Sequence, residues 1–350
     1  MKKRVLLAMS GGVDSSAAAL LLAEQGWHVV GAHFELCGAG GGQEAGAVCA
    51  RLGIELITAD LRGQFREKVV DPFIRAYEKA LTPNPCAACN ATIKFPGLIK
   101  LADSLGIYYV ATGHYARIQY NEKYAKNLIH RAADVSKDQS YALYAIDGGA
   151  LERIIFPLGE LTKARARALA EQGGLANAGR PDSQDICFVP DGEYAKFLIE
   201  NGADPGLGNF MDSSGRVLGL HKGHINYTVG QRRGLGIALG EPAYVLSKDA
   251  ATGEVTVGPK RELMVRDIRA AEVKLHAEGL DGNTARLGVM TRYNQERTPA
   301  TVTFNGDSAV IRFDHERTAG APGQAAVMYD GEAVIGGGII QNYMGIDTGG

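Results

Sequence analysis

The first sixteen residues commit the chain to a strand that feeds a helix through a glycine turn. Val5 to Met9 is a short apolar run; Ser10-Gly11-Gly12-Val13-Asp14-Ser15-Ser16 follows, and Ser15 to Leu22 is rich in alanine and leucine. A run of that length bounded by glycine reads as a buried strand. The unit then recurs. Trp27 to Phe34 suits a strand, Gln43 to Leu52 a helix stopped at Gly53, and Ile54 to Ala59 a strand. Gln64 to Lys79 and Ile93 to Leu105 are helical in period, and Ile107 to Ala111 is again strand-like. Alternating strands and helices predict an α/β fold, a Rossmann-like parallel sheet with helices on both faces. Ligands of such sheets bind beyond the C-terminal ends of the strands. Ser10-Gly11-Gly12 and Gly113-His114 both fall at such ends.

Leu161 to Gln172 reads as one more helix with Thr162 as its N-cap. Beyond about residue 200 the character changes to glycine-punctuated β runs: Tyr244 to Ser247, Glu254 to Val257, Leu287 to Thr291, Ala300 to Phe304, Ala309 to Phe313 and Ala325 to Tyr329. These predict a small β-rich domain, then a barrel or sandwich. A chain of 350 residues divides accordingly into 1–200, 201–262 and 263–350. Met1-Lys2-Lys3-Arg4 precedes too short an apolar run for a signal peptide, no run is long enough for a membrane span, and the expected location is the cytoplasm. The formal net charge is −2. Any binding of nucleic acid must therefore use local basic patches, of which Gln231-Arg232-Arg233, Arg292 and the Lys163-Arg165-Arg167 face are candidates. Pattern alone makes Arg165 and Arg167 a solvated helix face.

Glycines before a helix let backbone N–H groups approach an anion, and the helix N-terminus adds positive potential. Ser10, Ser15 and Ser16 offer hydroxyls, and Asp14 either holds Mg²⁺ or caps the helix. The Gly-Lys-Ser/Thr ending of a Walker A loop is missing, as is the spacing of a dinucleotide fold. The loop matches the S-G-G-x-D-S pyrophosphate loop of enzymes that split ATP between its α- and β-phosphates. There are five cysteines, Cys37, Cys49, Cys86, Cys89 and Cys187. An odd number in an intracellular setting argues against a structural disulfide framework. Cys86-Ala87-Ala88-Cys89 lies among prolines that predict an extended loop; a redox pair, half a zinc site and part of an iron–sulfur cluster stay open. Cys49 reads as core, and Cys37 is undecided. His221 and His224, split by a glycine and without a third ligand nearby, read as structural or RNA-facing.

These motifs together resemble the tRNA-specific 2-thiouridylases, which place sulfur on C2 of the wobble uridine, position 34. The likeness runs through Ala8 to Ser16, Thr82 to Phe95, Ala111 to Arg117, Lys137 to Tyr141, Pro157 to Lys163, Asp182 to Phe188, Tyr227 to Gly236 and Pro322 to Gln324. The resemblance implies an N-terminal nucleotide domain, a small central domain and a C-terminal β-barrel. It implies an ATP site of Ala8, Met9, Ser10, Gly11, Gly12, Val13, Asp14 and Ser15, with Phe34 and Gly113, used with Mg²⁺. It makes Cys89 the nucleophile and Cys187 the persulfide carrier. His114, Lys137, Asp138, Gln139, Arg292, Tyr293 and Gln324 become positions that meet the tRNA anticodon stem-loop. Arg232 and Arg233 join them on their glycine-rich turn. Persulfide chemistry would end in a Cys89–Cys187 disulfide that a reductant reopens.

One departure matters. Many members carry aspartate where this chain has Cys86. The change makes a thiolate triad, Cys86, Cys89 and Cys187, able to hold a 4Fe–4S cluster with one open iron. The sulfur source is then free sulfide, and otherwise a persulfide carrier protein. Two other readings keep the ATP loop: a ligase or amidating enzyme on another substrate, which leaves the cysteines without a task, and a non-catalytic redox-sensing module that binds ATP and RNA.

Overall fold

The computed structural model describes every residue except 1–2, 39–40, 176–178, 180–185, 190–191, 238–239, 281, 319 and 344–350. Asp182 to Asp185 of the motif around Cys187 thus lie outside the described residues. The chain divides into two compact units: residues 1–70, 86–188 and 332–334, and residues 71–85, 189–331 and 335–350.

The first unit opens with β1 (Arg4–Ala8), α1 (Val13–Glu24), β2 (His28–Glu35), α2 (Gly42–Leu52) and β3 (Glu55–Asp60). The predicted helix from Gln64 is interrupted: α3 (Arg62–Phe65), a π-helical stretch over Arg66–Val70, and α4 (Asp71–Glu78), which belongs to the second unit. Next come α5 (Pro85–Cys89), a second π-helical stretch (Asn90–Lys94), α6 (Phe95–Ser104), β4 (Tyr109–Ala111), the hairpin β5 (Ala116–Asn121) and β6 (Lys126–Arg131), β7 (Ile154–Ile155) and α7 (Lys163–Gln172). The Cys86–Cys89 segment is therefore helical, not extended. Proline at the first position of a helix has a suitable φ and no N–H that needs a partner, so Pro85 starts the turn instead of preventing it.

The sheet order is β3-β2-β1-β4-β7, and every pairing is parallel. Strand order reverses between β1 and β4, and the crevice of a doubly wound sheet opens at such a reversal. Val5, Leu6 and Leu7 are completely buried, each side chain contributing about 2 kcal/mol over an exposed position. Ala17, Ala18 and Ala19 are equally buried; their small side chains let α1 pack closely on the sheet.

The second unit contains α8 (Tyr194–Glu200) and a four-stranded sheet of β8 (Gly208–Met211), β9 (Val217–His221), β10 (Ala243–Lys248) and β11 (Val255–Pro259), in the order β10-β11-β8-β9. His221 and His224 are buried here. His221 Nδ1 accepts from Gly223 N at 3.0 Å and its Nε2 lies 2.9 Å from Gly253 O, so its role is structural. A closed six-stranded barrel follows: β12 (Met264–Leu275), β13 (Thr284–Met290), β14 (Thr298–Asn305), β15 (Ser308–Thr318), β16 (Ala325–Asp330) and β17 (Ala333–Tyr343). The order is β12-β15-β14-β13-β16-β17, and β12 pairs with β17 to close it. Ala300, Val302 and Phe304 alternate inward on β14, as do Ala309, Ile311 and Phe313 on β15. Among the described residues no helix is long and apolar enough to cross a membrane.

Candidate active site

β1 delivers the chain to Ser10 at the sheet's C-terminal edge. Gly12 is the N-cap of α1 and makes no side-chain cap bond, so the helix start is open to an anion. The turn is held by its own hydroxyls. Ser15 Oγ and Ser16 Oγ donate to Gly12 O at 3.1 and 2.9 Å; Gly12 N donates to Ser10 Oγ at 3.3 Å, and Ser10 Oγ and Ser15 Oγ lie 3.2 Å apart. Two glycines permit the close approaches. Gly11 has φ +78°, and a Cβ on it would lie 2.8 Å from both Glu44 Cβ and Gly41 O. A Cβ on Gly113, just beyond β4, would lie 2.9 Å from Asp14 C and Ser15 N.

Asp14 does not cap the helix. Its Oδ1 and Oδ2 accept from Lys163 Nζ at 2.7 and 2.8 Å, and Tyr115 OH donates to Oδ1 at 2.8 Å. Lys163 begins α7, whose N-cap Thr162 accepts from Arg165 N at 3.3 Å. Of the basic face read from sequence, Lys163 is thus turned to the loop, while Arg165 is exposed.

A cavity of about 330 Å³ opens at this edge, within the usual range for ligand pockets. Of the positions expected to hold ATP, Ala8, Met9, Ser10, Asp14, Ser15, Phe34 and Gly113 line it. Val13 instead packs into the core, and Gly11 and Gly12 shape the turn. Sequence reasoning missed His33, Lys94 and Thr112, which also line the cavity. His33 Nδ1 lies 2.8 Å from Met9 O and pins the end of β1. Lys94 falls within the Thr82 to Phe95 stretch, but only the fold shows that it faces the site.

His114 and Gln139 line the same cavity. His114 Nδ1 is 2.7 Å from Thr112 Oγ1, and its ring stacks on Phe95 at 6.0 Å. Burial, and then the Lys94 ammonium, push the imidazole well below its ordinary value, so it is neutral at pH 7. Gln139 Oε1 accepts from Tyr115 N at 2.9 Å. Asp138 departs from the expected contact role. It is 5% exposed and accepts from Arg131 Nε, Ala132 N, Ser140 N and Ser140 Oγ. With both oxygens engaged inside the protein, it organises the loop that carries Lys137 and Gln139 and offers no edge to RNA.

All five thiols lie in the first unit. Cys86 and Cys89 are one helical turn apart, which puts them on one side of α5. Cys86 is exposed and Cys89 is 8% exposed. Burial raises both thiols above the ordinary value, Lys94 partly offsets it, and neighbouring Cys86 and Cys37 add to the rise at Cys89. Cys187 and Cys37 line the cavity. A hydrogen bond with the Cys37 side chain, then burial, pushes the Cys187 thiol far up. Cys49 is the core residue expected: 1% exposed, its thiol raised by burial to about 11. Among the described residues no three His, Cys, Asp or Glu side chains converge to hold a metal ion.

In the second unit, Arg232 and Arg233 are exposed on their turn. Arg292 Nη2 donates to Val229 O at 3.1 Å, and a Cβ on Gly230 would lie 2.5 Å from that nitrogen. Tyr293 is 48% exposed. Gln324 Nε2 reaches Pro83 O at 3.5 Å, a long bond, while its main-chain N and O are tied to Ala321 O and Ile340 N.

Three family descriptions match in series: a tRNA methyl transferase HUP domain over residues 3–191, a tRNA methyl transferase PRC-barrel domain over 196–259, and an aminomethyltransferase beta-barrel domain over 265–340. Among whole proteins, the chain is 42% identical to the tRNA-specific 2-thiouridylase MnmA of Carboxydothermus hydrogenoformans, across 97% of this chain and 98% of that one. It is 43% identical to the protein of the same name from Acidithiobacillus ferrooxidans, with the same two shares. With the one from Halothermothrix orenii it shares 41%, across 97% and 99%. Likeness at that level along nearly the whole chain means that this protein belongs to the family of tRNA-specific 2-thiouridylases.

Proposed function

We infer that the protein is a tRNA-uridine 2-sulfurtransferase that uses ATP to replace the C2 oxygen of the wobble uridine, position 34, by sulfur. The observation that carries this reading is the meeting of a pyrophosphate loop and thiols, Cys37 and Cys187, on one cavity. The domain descriptions speak of methyl transfer, but an ATP-splitting loop beside thiols suits activation of an oxygen and its replacement by sulfur.

A uridine C2 oxygen is a poor leaving group. It attacks the α-phosphorus of ATP, pyrophosphate departs, and C2 then carries AMP. Sulfur attacks C2 and AMP leaves with the oxygen. The open start of α1 and Lys163 supply positive potential where the phosphates must lie. Asp14, held by Lys163 and Tyr115, is the carboxylate that Mg²⁺ would take over when it arrives with ATP. His114, neutral beside the cavity, can stack on or hydrogen-bond a splayed-out base without adding charge. Gln139 adds an amide at the same wall. Lys137, Arg232, Arg233, Arg292, Tyr293 and Gln324 form the remaining tRNA-facing set, with Arg292 also bracing the Gly230 turn.

In this reading Cys187 carries the incoming sulfur as a persulfide received from a carrier protein. The family likeness gives its release to Cys89. A 4Fe–4S cluster on Cys86, Cys89 and Cys187 would bind and activate hydrosulfide at an open iron. Among the described residues these donors do not converge as a metal site. Incubation of the protein with ATP, Mg²⁺, tRNA and a persulfide donor tests the whole reading. It should release pyrophosphate and AMP only when tRNA is present, and mass spectrometry should find 2-thiouridine at position 34. AMP transfer to another acceptor would instead indicate a ligase. ATP binding without AMP formation would indicate a non-catalytic module. Thiolation that needs iron and sulfide, and fails with a persulfide donor, would establish the cluster.

A further inference from the structure

Histidines and thiols aside, the ionisable side chains on the cavity wall are Asp14 and Lys94. Asp14 is paired with Lys163 at 2.7 Å. Lys94 is half-buried and, among the described residues, has no hydrogen-bond acceptor and no carboxylate in reach. An ammonium taken from water without a counter-charge is costly unless an anion joins it. Local structure places Lys94 beside the thiols and the base wall. It lies five residues beyond Cys89. At ordinary α-helical pitch the two would sit about 140° apart around the helix. The stretch Asn90–Lys94 is instead π-helical, with Phe95 N bonded to Asn90 O, and i→i+5 closure brings Lys94 back towards the face of Cys89. Asn90 fixes the turn by donating from Nδ2 to Ala142 O at 3.0 Å. Phe95, the next residue, carries the stacked His114 ring at 6.0 Å, and Cys187 lies on the same wall. After burial, the Lys94 charge is the next influence on Cys86, Cys89 and His114 alike. The phosphate end already has the start of α1 and Lys163.

We propose that Lys94 is a further catalytic residue, the cation that stabilises charge at C2 while sulfur replaces AMP. The proposal rests on the sulfurtransferase reading and adds a residue to its second step. The terminal sulfur of a Cys187 persulfide, its proton lost to water, adds to C2 with an electron pair. The C2–O bond breaks, and its pair leaves on the oxygen of AMP. The tRNA is left joined as C2–S–S–Cys187, for Cys89 to release. Negative charge thus arrives on sulfur and departs on AMP. Lys94 stands beside both and neither gains nor loses a proton. A cation already fixed in a walled cavity is screened little by water and needs no reorganisation at the moment of reaction.

The experiment compares the full-length wild type with Lys94→Met, which removes the charge and keeps the bulk of the side chain. Given ATP, Mg²⁺, tRNA and a persulfide donor, the variant should form 2-thiouridine about 100-fold more slowly. Its tRNA-dependent pyrophosphate release should stay near the wild-type rate, so that adenylated tRNA builds up or hydrolyses to AMP without 2-thiouridine. Lys94→Arg, which keeps the charge, should recover much of the loss. Equal loss of both products in a Lys94→Met protein that unfolds at the wild-type temperature overturns the role at C2. Full recovery of 2-thiouridine formation at pH 9 also overturns it, by confining Lys94 to thiol acidity. A second measurement uses the wild type alone and decides the matter if Lys94→Met does not fold. Acetic anhydride labels amines, and peptide mapping reads Lys94. ATP with tRNA should protect Lys94, and ATP alone should not. Protection by ATP alone would assign Lys94 to the phosphates and overturn the proposal. None of these results touches the sulfurtransferase reading. That reading falls if the wild type forms no AMP and 2-thiouridine with any sulfur source, and the proposal then falls with it.

Discussion

In the loop from Ser10 to Ser16 the backbone does the positioning, whereas around Cys37, Cys86, Cys89 and Cys187 side chains from three separate segments must converge. The loop is contiguous, and its glycines and hydroxyls fix one another over a few residues. The thiols are set by the ends of β2, α5 and a segment beyond α7. A contiguous, backbone-made site tolerates little change of shape. A convergent, side-chain site tolerates changes of shape but not of chemistry. The two halves should therefore fail differently.

The largest separation is expected from Cys187→Ala. Thiolation should fall more than about 1000-fold, as for loss of a covalent carrier, while tRNA-dependent pyrophosphate release continues. Measuring both products in one reaction checks this, and equal loss of both would erase the distinction between the halves. Gly113→Ala should act on the earlier step and so lower both products together. Its Cβ would collide with the Asp14 and Ser15 backbone, cutting pyrophosphate release about 100-fold and costing about 1–3 kcal/mol of stability. Denaturant titration beside pyrophosphate assays reads both effects.

Lys163→Ala should raise the KM for ATP roughly tenfold to a hundredfold, the scale of a charged hydrogen bond, and also change the Mg²⁺ requirement, because Asp14 loses the cation that holds it. An unchanged KM and Mg²⁺ titration would confine Lys163 to a structural role. The smallest expected effect concerns pH. Burial raises Cys89, and a hydrogen bond with Cys37 and then burial raise Cys187, above the ordinary thiol value, so the reactive thiolate fraction grows as pH rises. The sulfur-transfer rate should climb from pH 7 to 9. His114, already neutral, does not titrate in that range and should leave pyrophosphate release flat. Lys94→Met removes the cation that lowers Cys89 and should shift any Cys89-dependent limb to higher pH. Separate pH profiles of the two steps show whether they divide in this way.

The same contrast explains what was legible in the sequence. Strand, turn and helix around Ser10 follow from local spacing, and the strands of the barrel from alternation of residues such as Ala300, Val302 and Phe304. The helical state of Cys86 to Cys89 is hidden in the sequence because a proline reads as a breaker, whereas Pro85 stands at a helix start. Asp138 has the residue type of a contact group, but only tertiary structure reveals four internal donors around it. Lys163 and Asp14 are far apart in sequence, and no local pattern pairs them. Cys37 was undecidable for the same reason: its neighbour is 150 positions away.

The most direct test of the central claim, that the loop activates the oxygen which the thiols replace, is an isotope transfer. tRNA carrying ¹⁸O at C2 of the wobble uridine is turned over with ATP and a sulfur donor, and the AMP is weighed by mass spectrometry. One ¹⁸O in AMP for each 2-thiouridine formed is the expected result. Unlabelled AMP alongside 2-thiouridine would show that the C2 oxygen was never adenylated and would contradict the claim.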